Sequence, residues 1–189
     1  MSVFEVVGVV TGLLGVWLMT RQKIWGWPIL LVSSAVFIVV FFRARLYAAM
    51  GLQFVYIGLV AYGWRQWLHG GSGHGELRVS RVPRRIALAL AAAGAGVTAV
   101  LGTWLDMRTD QALPYADAFA TSFSLAAQFM QARKYLENWA VWLVVDIVYV
   151  AMVRTQDLGL TSVLYAVYLI LAILGFRDWR RSMSAEPLP

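Results

Sequence analysis

Seven apolar runs, separated by short polar breaks, pattern this chain. They cover about 3–20, 26–43, 46–68, 86–104, 115–132, 138–153 and 158–176. Each is near the length of helix that crosses a hydrocarbon core of about 30 Å, the sixth being the shortest. The pattern predicts an all-α polytopic membrane protein with seven transmembrane helices. The longest break follows the third run and reads HGGSGHGELRVSRVPRRI. Its Gly, Ser, Pro and Arg content predicts a flexible connector. Two histidines, His69 and His74, fall in it without acidic company and are expected to be solvated rather than metal-bound. The fourth run, IALALAAAGAGVTAVLG, is rich in the small residues that let helices approach closely in lipid, and reads as a linking or packing helix without chemistry.

Polar residues inside the runs are arranged in stripes. On a helix of about 100° per residue, Trp139, Trp142, Asp146 and Tyr149 fall at i, i+3, i+7 and i+10, on one narrow face. An ionised Asp at the centre of a membrane helix costs roughly 2.5–3.5 kcal/mol, so Asp146 is expected to face a polar cavity or a partner. Aromatic faces beside a carboxylate make a pocket for a flat cation. The fifth run repeats the spacing with Thr121, Ser124, Gln128 and Gln131, and Asp117 opens that run just above the stripe. The third run carries Gln53, Tyr56 and Trp67 on one stripe, and the seventh carries Tyr165 and Tyr168. Trp64, Trp67 and Trp179 sit beside Arg65 and Arg177 at helix ends and are expected to anchor at the membrane interface.

A shift of 112 positions aligns the two ends of the chain without a gap. Arg21 meets Arg133, Trp27 meets Trp139, Tyr56 meets Tyr168, Gly63 meets Gly175, Arg65 meets Arg177 and Trp67 meets Trp179. Apolar matches come cheaply in membrane sequences, but these do not, and all share one register. The expected organisation is therefore 3+1+3. Residues 1–68 form a first three-helix repeat and 69–114 a loop with the linking fourth helix. Residues 115–180 form a second repeat, and 181–189 a tail. A four-span offset preserves orientation, so the repeats are parallel, with the site at their interface. The halves are unequal there: Leu30 and Ser34 stand where Trp142 and Asp146 stand, and Val16 where Gln128 stands.

Composition agrees with a membrane protein. Of 189 residues 60% are hydrophobic and only 14% charged, with 9 Trp and a mean hydropathy of +0.67. The absence of cysteine excludes disulfides, thiolate metal sites and thiol nucleophiles. A net charge of +6 reads here as basic cytoplasmic loops rather than nucleic-acid binding. Arg43, Arg45, Arg108 and Arg154 lie on the N-terminal side of the predicted spans, and the other twelve basic residues lie opposite. The N-terminus is therefore expected outside and the C-terminus in the cytoplasm. No basic region precedes the first run, which is expected to be a retained span.

The sequence LYAAMGLQFVYIGLVAYGWRQW (46–67), the Trp139-x-x-Trp142 pair and the TDQALPYADAF stretch resemble the nicotinamide riboside transporter family of the PnuC type, over nearly the whole chain. The resemblance implies a fold related to the SWEET transporters, a homotrimer in the bacterial inner membrane, and facilitated diffusion of a vitamin or vitamin precursor drawn inward by cytoplasmic phosphorylation. It implies that the Trp pair lines the substrate site. Asp146 stands where the family carries a polar residue one turn later, often Asn. Relatives carry thiamine, and others riboflavin. Nicotinamide riboside and thiamine are flat cations that an ionised Asp146 favours, whereas riboflavin is neutral.

The candidate substrate-binding residues are thus Gln53, Tyr56, Thr121, Ser124, Gln128, Trp139, Trp142, Asp146, Tyr149, Tyr165 and Tyr168. No metal or cofactor is expected. Proton-coupled transport through Asp146 remains an alternative mechanism. An integral membrane enzyme would need a nucleophile or metal-ligand motif that the sequence lacks. A purely structural protein has no use for an intramembrane Asp.

Overall fold

The computed structural model describes residues 3–43, 45, 47–71, 73, 75–110, 112–154 and 159–185. Among them are seven α-helices: α1 (Val3–Thr20), α2 (Gly26–Arg43), α3 (Tyr47–His69), α4 (Arg84–Arg108), α5 (Pro114–Ala132), α6 (Asn138–Arg154) and α7 (Gly159–Ala185). Each coincides with a predicted apolar run, and α7 continues nine residues past its apolar part. By length and composition α1, α2 and α4 are apolar enough to cross a membrane, and α6 is apolar but shorter. The longer α3, α5 and α7 interleave the polar stripes with apolar positions. Exposed hydrophobic side chains such as Val10, Val32, Phe54, Val100, Ile147 and Ile170 face outward around the bundle, as lipid-facing positions do.

The helix ends follow local chemistry. α5 opens on Pro114, whose missing N–H would have had no helical partner, and carries Asp117 in its first turn. α1 and α5 both close with a left-handed residue, Gln22 (φ 55°) and Lys134 (φ 52°). In α1 the Gln22 N–H donates to Met19 O (3.0 Å) and the Lys23 N–H to Leu18 O (2.9 Å). In α5 the Lys134 N–H donates to Gln131 O (3.0 Å) and the Tyr135 N–H to Met130 O (3.0 Å). Both are Schellman motifs, placed 112 positions apart.

Packing repeats in the same register. α1 packs on α2 and α2 on α3; α5 packs on α6 and α6 on α7. α3 lies against α5, and α1 lies against α7. α4 packs on α5, where Gly94 and Gly102 lie against Phe123 and Tyr115.

The core is a layer of four tryptophans. Trp27 meets Trp67 edge-on at 5.3 Å, Trp139 meets Trp179 edge-on at 5.4 Å, and Trp67 meets Trp179 at 5.7 Å. Gly63 and Gly175 lie so close to the indoles of Trp27 and Trp139 that a Cβ would collide with them. The Trp67 Nε1–H donates to Gln131 O (3.1 Å) and the Trp179 Nε1–H to Met19 O (3.0 Å). These crossed bonds link α3 to α5 and α7 to α1. Trp67 and Trp179 are therefore core residues, at 3% and 0% exposure, and not interfacial anchors. Trp64 packs partly buried against the same cluster. The reason is the crossed pair of carbonyl acceptors, which lets an indole be buried with its N–H satisfied.

The segment before α4 also differs from the flexible connector expected from its composition. Ser80 N–H donates to Lys134 O (3.1 Å), and Leu136 N–H donates to Ser80 O (2.9 Å), forming a parallel bridge between Ser80 and Tyr135. The Val82 N–H donates to the Glu137 carboxylate (2.9 Å), and Lys134 Nζ to Leu77 O (2.7 Å). Lys134 Nζ also lies 4.5 Å from the centre of a Trp67 ring. Backbone groups of the α5–α6 turn that no helix can satisfy find their partners here. Residues 77–82 are thus strapped to that turn. His69 ends α3, and His74 lies outside the described residues.

Candidate functional site

The tryptophan layer borders a cavity of about 300 Å³. Trp139 belongs to both: it lines the cavity and packs edge-on against Trp179. The lining comes from α1, α2, α3, α5, α6 and α7. Most of it falls into pairs 112 positions apart. These are Gly12 with Ser124, Val16 with Gln128, Leu30 with Trp142, and Ser34 with Asp146. Phe37 pairs with Tyr149, Gln53 with Tyr165, Tyr56 with Tyr168, and Val60 with Ala172. Ser33, Gln131 and Trp139 complete the lining without their counterparts.

Of the residues expected at the site, Gln53, Tyr56, Ser124, Gln128, Trp139, Trp142, Asp146, Tyr149, Tyr165 and Tyr168 line this cavity. Thr121 is absent from the lining. Its carbonyl accepts the Ser124 hydroxyl at 2.9 Å. Asp117 lies one turn above it on α5, outside the lining. Gly12, Val16, Leu30, Ser33, Ser34, Phe37, Val60, Gln131 and Ala172 join the lining beyond the expected set. Most were findable, because their counterparts in the other half were already on a stripe. Gln131 was itself on the α5 stripe. Ser33 had no such signal; its hydroxyl donates to Gly8 O at 2.9 Å.

The chemistry of the wall is uneven. Asp146, 6% exposed, is the one charged residue among the lining residues described. Tyr149 stacks on Tyr165 at 4.6 Å and 12°, and Tyr165 meets Tyr168 at 6.3 Å. The Gln128 Nε2 and Trp139 Nε1 donors are buried without a hydrogen-bond partner. A buried donor left unpaired costs about 1–3 kcal/mol, so both are positioned to gain from an acceptor brought by a ligand. The cavity thus offers donors from Gln128 and Trp139, a carboxyl group from Asp146, and aromatic faces from both Trp and Tyr. A second, more polar cleft of about 360 Å³ lies between residues 75–79, Gln22, Lys134 and Ser182, beyond the tryptophan layer and without its aromatic walls.

A polar, aromatic cavity within a bundle of apolar-faced helices defines a multi-pass membrane transporter. Comparison with known proteins agrees. A family model described as nicotinamide mononucleotide transporter matches residues 2–181. The riboflavin/roseoflavin transporter RibM of Streptomyces davaonensis is 30% identical over 179 residues, covering 93% of this chain and 83% of that protein. The nicotinamide riboside transporter PnuC of Escherichia coli is 28% identical over 207 residues, covering 96% of this chain and 87% of that protein. The crystal structure of the vitamin B3 transporter PnuC matches with a TM-score of 0.74 at 26% identity, covering 97% of this chain and 83% of that chain. The chain belongs to this family, the PnuC family of membrane transporters.

Proposed function

We propose that the protein carries a flat cationic vitamin precursor, nicotinamide riboside first, by facilitated diffusion across the inner membrane. The observation that carries this reading is the single carboxylate of Asp146 among aromatic faces, with no basic side chain among the described lining residues. A cation over an indole gains roughly 0.5–2 kcal/mol, and a hydrogen bond to a charged partner about 1.5–3 kcal/mol. A neutral ligand forgoes the charge contribution. A phosphorylated product adds a near-dianion that Asp146 repels and no lining residue neutralises. That favours trapping by phosphorylation on the cytoplasmic side.

The bond-for-bond correspondence of the two turns, the crossed Trp67 and Trp179 bonds and the paired lining support a 3+1+3 arrangement of parallel, SWEET-like repeats with seven crossings. The basic-residue bias supports an outer N-terminus and a cytoplasmic C-terminus. The family resemblance supports a homotrimer, which chemical cross-linking in membranes would test.

Thiamine is the second reading, because its aminopyrimidine offers Asp146 hydrogen-bond donors as well as charge. Uptake of labelled nicotinamide riboside, thiamine and riboflavin into proteoliposomes tests the proposal. Saturable uptake of a cation that stops at equilibration is expected. Preferential uptake of riboflavin would overturn the cationic reading. Accumulation driven by a pH gradient and lost in Asp146→Asn would replace uniport with proton coupling.

A further inference from the structure

Tyr56 and Tyr168 occupy equivalent positions on α3 and α7, yet their hydroxyls have different neighbours. The Tyr56 hydroxyl lies 2.6 Å from Ser124 Oγ. Ser124 has one hydroxyl proton, which it donates to Thr121 O at 2.9 Å. With that proton given to Thr121 O, Tyr56 is the donor to Ser124 and its own proton is taken. The residue equivalent to Ser124 in the first half is Gly12. A Cβ on Gly12 would lie 3.2 Å from the Tyr168 hydroxyl, so Tyr168 faces backbone where Tyr56 faces an acceptor. Ser33 Oγ lies 3.2 Å from the same point and donates its proton to Gly8 O, but it makes no hydrogen bond with Tyr168. Among the described residues no hydrogen bond reaches the Tyr168 hydroxyl.

We propose that Tyr168 is the tyrosine that reads the ligand, donating its proton to a ligand oxygen. Gly12 is then a specificity-determining residue, because it leaves that proton free. The ligand group is a carbonyl or hydroxyl oxygen on the flat cation. The inference rests on the transport reading above and adds to it a direction: one oxygen acceptor of the ligand points toward the α1–α7 contact.

The test is calorimetric titration of the purified protein with nicotinamide riboside, thiamine and riboflavin. It compares wild type, Tyr168→Phe, Tyr56→Phe, Gly12→Ser and the Gly12→Ser/Tyr168→Phe double variant. Thermal unfolding without ligand is measured on the same set. For whichever ligand binds, Tyr168→Phe is expected to lose about 10-fold in affinity, the scale of one hydrogen bond. Gly12→Ser, which recreates the Ser124 acceptor, is expected to lose a similar amount. The double variant is expected to lose no more than Tyr168→Phe alone. Tyr56→Phe is expected to lose less affinity than Tyr168→Phe while lowering the unfolding midpoint by roughly 2–4 °C, a drop that Tyr168→Phe does not share. Wild-type affinity in Tyr168→Phe overturns the inference and leaves the transport reading standing. A full further loss from Gly12→Ser in the Tyr168→Phe background also overturns it, because crowding would then be the cause. Should Gly12→Ser fail to fold, the contrast between the two Tyr→Phe variants decides alone. Absence of binding of all three ligands to wild type overturns the transport reading and this inference with it.

Discussion

The tryptophan layer and the cavity beside it draw on matched positions in the two halves, and treat them differently. In the layer the pairs are identical in kind and meet matching partners: Trp27 with Trp139, Gly63 with Gly175, Trp67 with Trp179. In the cavity the pairs diverge: Ser34 against Asp146, Leu30 against Trp142, Val16 against Gln128, Gly12 against Ser124. Helix packing in lipid rests on close backbone approach and satisfied polar groups, so the layer must repeat wherever the backbone repeats. Recognition of an asymmetric molecule has no such requirement. A symmetric frame thus carries an asymmetric wall, with charge and most of the unpaired donors supplied by the second half.

Paired substitutions can break that contrast. The largest effect is expected at the charged pair. Asp146→Ala should weaken binding of the proposed cationic substrate about 50-fold, on the scale of roughly 2–3 kcal/mol for a charged hydrogen bond. Ser34→Ala should cost less than about threefold. Calorimetry on both variants checks this, and equal losses would mean that the wall is functionally symmetric. Next come the glycines. Gly63→Ala and Gly175→Ala each push a methyl into an indole, and each is expected to destabilise the protein by about 1–3 kcal/mol. Thermal unfolding in detergent measures both, and a large difference between them would show that the layer is not shared equally.

Trp142→Leu, which copies the first-half residue into the second, is expected to reduce cation affinity about 10-fold through loss of one aromatic face. It should affect riboflavin less, and competition uptake assays distinguish the two. The smallest effect is expected at the crossed bonds. Trp67→Phe and Trp179→Phe each lose one indole N–H bond, while Gln131 O and Met19 O keep their backbone partners Lys134 and Gln22, for about 1 kcal/mol apiece. Matching shifts in unfolding midpoint would support the correspondence between α3–α5 and α7–α1.

The helices were legible because lipid demands long apolar runs, and the polar breaks cut them cleanly. The cavity was legible because polar residues on membrane helices are costly, so the Trp139–Tyr149 and Ser124–Gln128 stripes had to face inward. Gly12 gave no such signal: its role lies in a side chain it does not have, and only the counterpart Ser124 marks the place. Trp67 and Trp179 misled for a different reason. A Trp next to an Arg at a helix end has the pattern of an interfacial anchor. What buries these two is an acceptor carbonyl far away in sequence, Gln131 O for one and Met19 O for the other. Residues 77–82 were equally opaque, since a glycine- and arginine-rich stretch carries no alternation that would announce its pairing with the α5–α6 turn.

That strap has a consequence for motion. The covalent link between the halves leaves α3 and is fastened, through Ser80, Val82 and Leu77, to a turn of the opposite half. The Leu77 N–H also donates to Trp67 O (3.3 Å), so the connector is tied at once to the end of α3 and to the α5–α6 turn, and movement of one against the other must strain or break those bonds. The amide protons of Ser80, Val82 and Leu136 are expected to exchange slowly and together. The corresponding turn at Gln22 is tied instead to α7, through Gln22 Nε2 to Ser182 Oγ (2.8 Å) and the Arg21–Asp178 pair (3.6 Å), so the two matched turns are fastened to different kinds of partner.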